Sequence, residues 1–317
     1  MFAPLAERGI EPVVVDVGAR NGMHQAVVPQ SYAAQSVLVG FEPNPAEYEK
    51  LLSQDTDAHR IGAPMAKFKR QQYNNCALWE EAEKRPFYIT EGAGACTLMG
   101  QADDAICRRM WMDGTEKPYS ELHTDIKETT PVECKRLDQV LPSDEVADIL
   151  KIDVEGGELA VLKGSLGLLE HGSILFVKSE FLLTPYYENC PVLGHQHIML
   201  HDHGFRLIDM DFDHPSYVRS KTKISPSVDR RLVYGGDAYF MLDPDKNDLG
   251  PIKLHRLGAA SLVFNFSALA ISLFKDAGLL SGKEIETIET AITRNWTSKR
   301  LKYIWGQIPR VVKDLFR

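Results

Sequence analysis

Short apolar runs rich in valine and isoleucine recur along the first 250 residues, separated by helical patterns. The runs cover residues 13–17, 36–41, 147–152 and 174–177, with weaker ones at 205–210 and 238–242. Hydrophobicity within the runs is continuous rather than alternating, which is typical of strands covered on both faces. The pattern predicts an α/β fold with a doubly wound, mainly parallel sheet.

The segment after Phe41 carries the start signals of a helix. Asn44 can cap the helix, Pro45 fits its first turn, and Glu47 lies three residues beyond the cap. Glu42 therefore lies just past the carboxyl end of the preceding strand.

The periodicity weakens between residues 79 and 140. Gly92-Ala93-Gly94 predicts a hairpin, and the polar residues 113–130 predict a loop inserted into the order of the sheet. Such an insertion either shapes a substrate pocket or forms a plain surface loop.

The pattern changes near residue 250, where Gly250 and Pro251 interrupt the chain and helical periodicity follows. We therefore predict an α/β domain over residues 1–250 and a helical C-terminal extension over residues 251–317. The uncharged stretch 257–274 just reaches the length of a membrane span, but its Asn265 and its serines favour a buried core helix.

The composition is that of a soluble globular protein, with 44% hydrophobic and 25% charged residues among 317. Its five cysteines form no C-x-x-C pair, which fits a reducing compartment and predicts free thiols. The first residues lack the basic and apolar regions of a signal peptide. We therefore expect a cytoplasmic protein.

The charge is unevenly distributed along the chain. The formal net charge is −8, yet residues 290–317 hold seven Lys or Arg against one acid. The acidic body argues against nucleic-acid binding, because affinity for phosphates depends on Lys and Arg. The basic tail alternates with apolar residues and predicts an amphipathic helix broken near Pro309. Such a helix suits peripheral contact with the inner membrane surface, a glycan-lipid substrate or a partner protein, or else it packs on the body.

Acidic residues follow the four clearest predicted strands. In chain order they are Asp16, Glu42, Asp153 with Glu155, and Glu180. Ligands of open α/β sheets bind beyond the carboxyl ends of the strands, so we expect these side chains to line one site.

The first of these strand ends reads VVVDVGARNG. A dinucleotide loop reads G-x-G-x-x-G, and here Arg20 stands where a middle glycine would let the backbone approach a pyrophosphate. Asp16 would also repel phosphate. An ammonium-bearing cofactor without phosphate, S-adenosylmethionine, suits this acid and the glycines at 18 and 22. Glu42 can accept both ribose hydroxyls, a feature shared with nicotinamide sites, so a nicotinamide-dependent oxidoreductase is the alternative.

The stretch ILKIDVEGGELAVLKGS at residues 149–165 resembles the signature of the FkbM-type methyltransferase family. The resemblance extends to VDVGARNG, FEPNP and NNCALWEEAEKRPFYIT, and covers roughly residues 12–242. It implies a class I, Rossmann-like fold and S-adenosylmethionine-dependent methylation of a hydroxyl on a carbohydrate, glycan precursor or secondary metabolite. The acceptor would then be a small molecule or a glycan.

The resemblance also implies roles for individual residues. Those lining the cofactor would be Asp16, Gly18, Arg20, Asn21, Gly22, Glu42, Asn75, Ala77 and Asp153. Asn75 and Ala77 would lie near the adenine, and Asp153 close to the transferred methyl. Arg20 departs from the family pattern; we expect it to pair with Glu42 or Asp16, or to reach the carboxylate of the donor.

Methyl transfer from a sulfonium needs an aligned nucleophile and a base. We expect the base to be Asp153, Glu155 or Glu180, because joint burial would raise at least one pKa toward neutrality. Alternatively, Glu155 only caps the following helix and Glu180 only ends a strand. We predict no metal, although a divalent ion could bridge these oxygens.

Four histidines cluster in GHQHIMLHDHG, where His197 and His201 have a spacing that can bind zinc. We favour a polar helix face; a histidine could serve as base if the helix overhangs the pocket. A non-catalytic scaffold that retains the methyltransferase fold is the third hypothesis for the whole chain.

Overall fold

The computed structural model describes residues 1–102, 110–111, 117–118, 120–142, 145–213, 216–217 and 233–307. Its contacts divide the chain into two compact units, Glu11–Asp248 and Met1–Ile10 joined with the chain from Leu249 onward. The predicted division at residue 250 stays a prediction. The contacts differ from this prediction because they group the first ten residues with the C-terminal unit. In that unit His255 Nε2 donates a hydrogen bond to the Met1 carbonyl at 2.8 Å.

The described strands are, in chain order, β1 (Val13–Val17), β2 (Val37–Phe41), β3 (Arg70–Asn74), β4 (Ala77–Leu78), β5 (Lys84–Thr90), β6 (Met110–Trp111), β7 (Ile126–Lys135), β8 (Ala147–Ile152), β9 (Ile174–Leu182), β10 (Phe205–Asp213), β11 (Ser216–Tyr217) and β12 (Gly235–Leu242). Seven of them form the main sheet in the order β10-β12-β9-β8-β1-β2-β3. Neighbours from β9 to β3 are parallel, and β12 is antiparallel to both of its neighbours.

The described helices are α1 (Ala3–Ala6), α2 (Gln30–Ala33), α3 (Pro45–Ser53), α4 (Asp57–Arg60), α5 (Leu137–Val140), α6 (Glu158–Lys163), α7 (Leu166–Glu170), α8 (Leu193–Asp202), α9 (Pro251–Val263), α10 (Ser267–Ala277) and α11 (Gly282–Gln307), with a π-helical turn at Ser120–Thr124. Helix α3 begins as predicted, since the Asn44 side chain accepts a hydrogen bond from the Ala46 amide at 3.0 Å. The predicted α/β fold is confirmed, with β1 buried along its whole length.

Strand β9 is longer than its apolar run predicts. The run 174–177 ends before Lys178, but pairing with β12 carries the strand on to Leu182. Glu180 therefore lies inside β9, opposite Asp237, and the alternative in which it only ends a strand is wrong.

The inserted region forms a second sheet in the order β4-β7-β5. The chain turns back at Gly92 as predicted, and Tyr88 and Thr97 exchange backbone hydrogen bonds of 2.8 and 3.1 Å. The loop predicted over 113–130 is wrong at its end, because residues 126–130 belong to β7. These residues are largely exposed, which explains the missing apolar pattern. Residues 112–116 and 119 lie outside the described part.

The stretch 257–274 forms two helices rather than one. Helix α9 ends at Val263, and α10 begins at Ser267 after Asn265 adopts a left-handed φ of 65°. Both helices bury apolar side chains, as expected. No helix in the described ranges is long and apolar enough to cross a bilayer. The basic tail is described as backbone helix to Gln307, and the break predicted near Pro309 lies outside the described residues.

Four cysteines lie in the described ranges, and all four are free thiols, as predicted: Cys76, Cys96, Cys134 and Cys190.

Candidate functional site

The order of the main sheet creates a switch point beside β1. The chain runs outward through β2 and β3 on one side of β1 and through β8 and β9 on the other. Crevices form at such points beyond the carboxyl ends of the strands. A cavity of about 310 Å³ lies here. The predicted site residues that line it are Asp16, Gly18, Arg20, Gly22, Glu42, Ala77, Asp153 and Glu155.

Gly18 brings the ends of β1 and β8 close together. Its φ is +83°, and a Cβ there would lie 1.9 Å from the carbonyl oxygen of Asp153. Gly22 has a similar φ of +80°, but the nearest atom to its added Cβ is 3.4 Å away. Gly18 is therefore required both by its conformation and by the approach of β8.

Asp16 is only 2% exposed and pairs with Lys151, a residue that was not predicted. The Lys151 ammonium lies 3.1 Å from Asp16 Oδ1 and 3.3 Å from Asp153 Oδ2. Burial opposes the charge on Lys151, but the two carboxylates raise its pKa above the usual value. The sequence does contain a signal for this ion pair. A lysine stands between Leu150 and Ile152 in a buried strand, and a buried charge requires a partner.

Glu42 points into the cavity from the end of β2. It is 4% exposed, and its Oε1 accepts a hydrogen bond from the Asn44 amide at 2.8 Å. Burial raises the pKa of the Glu42 carboxyl to about 7. Asn75 does not line the cavity; its Nδ2 donates to the Glu42 carbonyl at 2.9 Å and so supports the backbone at the end of β2.

Arg20 pairs with neither Glu42 nor Asp16, so these two alternatives are wrong, and contact with the carboxylate of the donor stays a prediction. Its guanidinium lies 3.4 Å from Glu47 on α3 and 2.8 Å from Asp57 on α4. Arg20 therefore lines the cavity and links α3 to α4 through these two acids. Asn21 also turns toward α4, where its Oδ1 accepts from the Ala58 amide at 3.4 Å, and it does not line the cavity.

Three predicted carboxylates meet beside this cavity. Oxygens of Asp153, Glu155 and Glu180 all lie within 4.8 Å of one another. The Tyr187 hydroxyl donates to Glu155 Oε2 at 2.8 Å. Burial, reinforced by the charge on Asp153, raises the pKa of Glu155 to about 8. Burial also raises the pKa of Glu180 well above its usual value.

Neither Glu155 nor Glu158 caps helix α6, because its N-cap residue is Gly157 and no side chain accepts a capping hydrogen bond there. Glu158 Oε1 accepts hydrogen bonds from the amides of Val154 and Gly156 at 3.1 and 3.2 Å. The alternative in which Glu155 is only a cap is therefore wrong. The two bonds to Glu158 hold the tight loop before the helix, in which Glu155 itself has a left-handed φ of 58°.

The opposite wall of the cavity is apolar and comes largely from the inserted region. It includes Ala77, Leu78, Trp79, Phe87 and Leu98. Trp79 is 6% exposed, and the Arg85 guanidinium lies 4.5 Å from the centre of its ring. Trp79 follows directly on β4, but no sequence pattern singles it out as a lining residue.

Residues 16–207 match the family model of the Methyltransferase FkbM domain. The chain belongs to the FkbM methyltransferase family. Its sheet order, with an antiparallel β12 next to last, agrees with the class I methyltransferase fold predicted for it.

Two curated proteins are relatives of this chain. Methyltransferase 1 of Beauveria bassiana is 28% identical over 155 residues, covering 48% of this chain and 57% of that protein. Methyltransferase sdnD of Sordaria araneosa is 30% identical over 169 residues, covering 48% and 60%. The matches thus span less than two thirds of the relatives' own length.

Among solved structures, the magnesium protoporphyrin IX methyltransferase (ChlM) of Synechocystis PCC 6803, with bound SAM, matches this chain at 10% identity and a TM-score of 0.32. The match covers 75% of this chain and 74% of that one.

Of the four clustered histidines, His195, His197 and His201 lie on α8 and His203 is its C-cap residue, and none of the four lines the cavity. The ring centres of His197 and His201 are 6.4 Å apart, and the Lys246 ammonium lies 3.2 Å from His201 Nε2. A cation there disfavours a zinc site. Within the described ranges, we find one group of potential ligands close enough to share an ion, the carboxylates of Asp153, Glu155 and Glu180.

Proposed function

We propose that this chain transfers a methyl group from S-adenosylmethionine to a hydroxyl oxygen of a carbohydrate, glycan precursor or secondary metabolite. Membership of a methyltransferase family supports the reaction class. The observation that carries the choice of donor is the pair of buried acids, Asp16 and Glu42, at adjacent strand ends of one cavity.

The lining fits the chemical groups of this donor. Glu42 offers a carboxylate to the ribose hydroxyls, and Asp16 offers one to the ammonium. Lys151 bridges Asp16 and Asp153 and offers a cation to the carboxylate of the donor. The apolar wall around Trp79 suits the adenine. A pyrophosphate, by contrast, would meet two buried acids, which argues against a nicotinamide dinucleotide.

The donor, when bound, supplies a methyl carbon activated by its sulfonium. The chain must then orient the acceptor hydroxyl and take up its proton. Glu155 lines the cavity, and Tyr187 engages its Oε2. Among the described contacts its Oε1 has no donor, so this oxygen is available to the hydroxyl. Of the three candidate bases, Asp153 also lines the cavity, whereas Glu180 does not.

Calorimetry with S-adenosylmethionine tests the donor site. Asp16→Ala and Glu42→Ala should each weaken binding, while Glu128→Ala, at an exposed position of β7, should not. Unchanged affinity in both site variants contradicts the assignment.

Transfer of labelled methyl from the donor to a panel of hydroxyl-bearing sugars and metabolites tests the reaction. An intact protein that binds no donor would favour the scaffold hypothesis, and selective binding of a nicotinamide dinucleotide would favour the oxidoreductase.

We also propose that the protein is cytoplasmic and that residues 290–317 make peripheral contact with the inner membrane surface. The excess of basic residues in this segment supports the contact, because anionic lipids attract Lys and Arg.

A further inference from the structure

The carboxylates of Asp153, Glu155 and Glu180 have a spacing that suits a shared cation. Their closest oxygens all lie within 4.8 Å of one another. Two oxygens 4.8 Å apart each lie about 2.4 Å from an ion midway between them. Small movements of the side chains bring these oxygens to about 2.1 Å from the ion. Asp153 follows β8, Glu155 belongs to the loop held by Glu158, and Glu180 lies within β9.

Glu180 supplies an observation independent of this spacing. Its Oε2 is buried and has no hydrogen-bond partner among the described residues. A buried carboxylate oxygen without a donor is strongly destabilising unless a cation or a proton compensates it. The carboxylate of Glu180 belongs to the cluster, where Asp153 and Glu155 present further oxygens rather than donors.

The nearby lysines do not supply this compensation. The Lys178 ammonium, from the same strand as Glu180, forms an ion pair with Asp237 on β12. The Lys151 ammonium lies between Asp16 and Asp153. Two lysines thus face five acids: Asp16, Asp153, Glu155, Glu180 and Asp237. If all five acids are ionised, three negative charges are left unbalanced, and a divalent cation would offset two of them.

We propose that Asp153, Glu155 and Glu180 bind one divalent cation, Mg²⁺ or Mn²⁺. A set of three carboxylate oxygens suits hard cations of this kind. Tyr187, which donates to Glu155 Oε2, holds one ligand in place.

Asp153 and Glu155 also line the cavity, so the remaining coordination positions face it and fit hydroxyl oxygens of the acceptor. This last step rests on the proposed function. The cation site itself does not.

Titration of the chelator-treated full chain with Mn²⁺, followed by electron paramagnetic resonance of the free ion, tests the site. We expect about one Mn²⁺ per chain, displaced by Mg²⁺. Glu180→Gln and Asp153→Asn should each weaken binding about tenfold or more, since each removes a charged ligand. Glu128→Gln, at an exposed position, should bind as the unaltered protein does.

Thermal unfolding separates loss of the site from loss of the fold. Mn²⁺ should raise the unfolding temperature of the unaltered chain but not of Glu180→Gln. In metal-free buffer, Glu180→Gln should unfold at the same temperature or higher, because burial opposes the charge of a carboxylate and the amide carries none.

The proposal is overturned if the unaltered chain binds no Mn²⁺ at about 1 mM, or if both variants bind it equally well. Binding of S-adenosylmethionine in metal-free buffer tests the donor site alone, so the two proposals can fail separately.

Discussion

Glu42 is a buried carboxyl whose ionisation is opposed by the fold and required by the proposed ligand. Its pKa of about 7 lies above the ordinary value of 4.5. A pKa raised on folding means that its contribution to stability is complete below about pH 4.5 and is lost as the pH rises through about 7. A shift of this size corresponds to about 3 kcal/mol at pH 8.

Glu42→Gln should therefore stabilise the protein by up to about 3 kcal/mol at pH 8 and by less than about 1 kcal/mol at pH 5. The same change should weaken binding of S-adenosylmethionine about tenfold, because the amide loses a charged acceptor. Chemical denaturation and calorimetry at both pH values measure the two effects. The exposed Glu128→Gln is the control, and a stability gain that does not depend on pH would contradict the explanation.

Gly18 and Gly22 form a matched pair, since both have a left-handed φ and only Gly18 faces a backbone atom. Alanine at either position costs about 1 kcal/mol for its conformation. At Gly18 the Asp153 carbonyl must also move, so Gly18→Ala should cost at least about 2 kcal/mol more than Gly22→Ala. Urea unfolding of both variants measures the difference. Equal losses of unfolding free energy would show that β8 can move away from residue 18 without a cost in stability.

The residues that sequence predicts well are those at strand ends. Asp16 and Glu42 follow apolar runs, and the carboxyl ends of parallel strands meet at one edge, so their convergence needs no knowledge of pairing. The surroundings of Lys151 and Glu180 depend instead on which strands pair with β8 and β9. Arg20 is similar, because its partner Asp57 is 37 residues away and is brought near by the packing of α4.

At the scale of elements, the break between α9 and α10 shows what a hydropathy pattern misses. Residues 257–274 are uncharged throughout, so their apolar character predicts one helix. The decisive feature is local: Asn265 adopts a φ of 65°, which asparagine tolerates better than other residues with side chains. The same stretch thereby supplies two shorter packed helices.

Substitution of Asn265 by glycine and by alanine should change the stability of the protein differently. Asn265→Gly should leave the unfolding temperature nearly unchanged, since glycine adopts this φ without strain. Asn265→Ala should destabilise the C-terminal unit by about 1 kcal/mol. Thermal unfolding followed by circular dichroism compares them. If alanine were tolerated as well as glycine, the conformation of Asn265 would not be what separates the helices.

For the whole molecule, the family match and the helices after Leu249 occupy different parts of the chain. The match ends at residue 207, whereas α9, α10 and α11 begin at Pro251 or later. The proposed donor and cation sites lie entirely within Glu11–Asp248. Removing the end of α11 should therefore separate membrane contact from donor binding.

Deletion of residues 290–317 leaves the ion pair between Lys275 and Glu289, which joins α10 to α11 at 3.1 Å. It removes seven basic residues, each worth about 1 kcal/mol near an anionic surface. The intact chain should float with anionic vesicles at low salt and not with neutral ones, because the attraction is screened by ions. The shortened chain should float with neither, yet bind S-adenosylmethionine as before. Failure of the intact chain to float would contradict the proposed membrane contact.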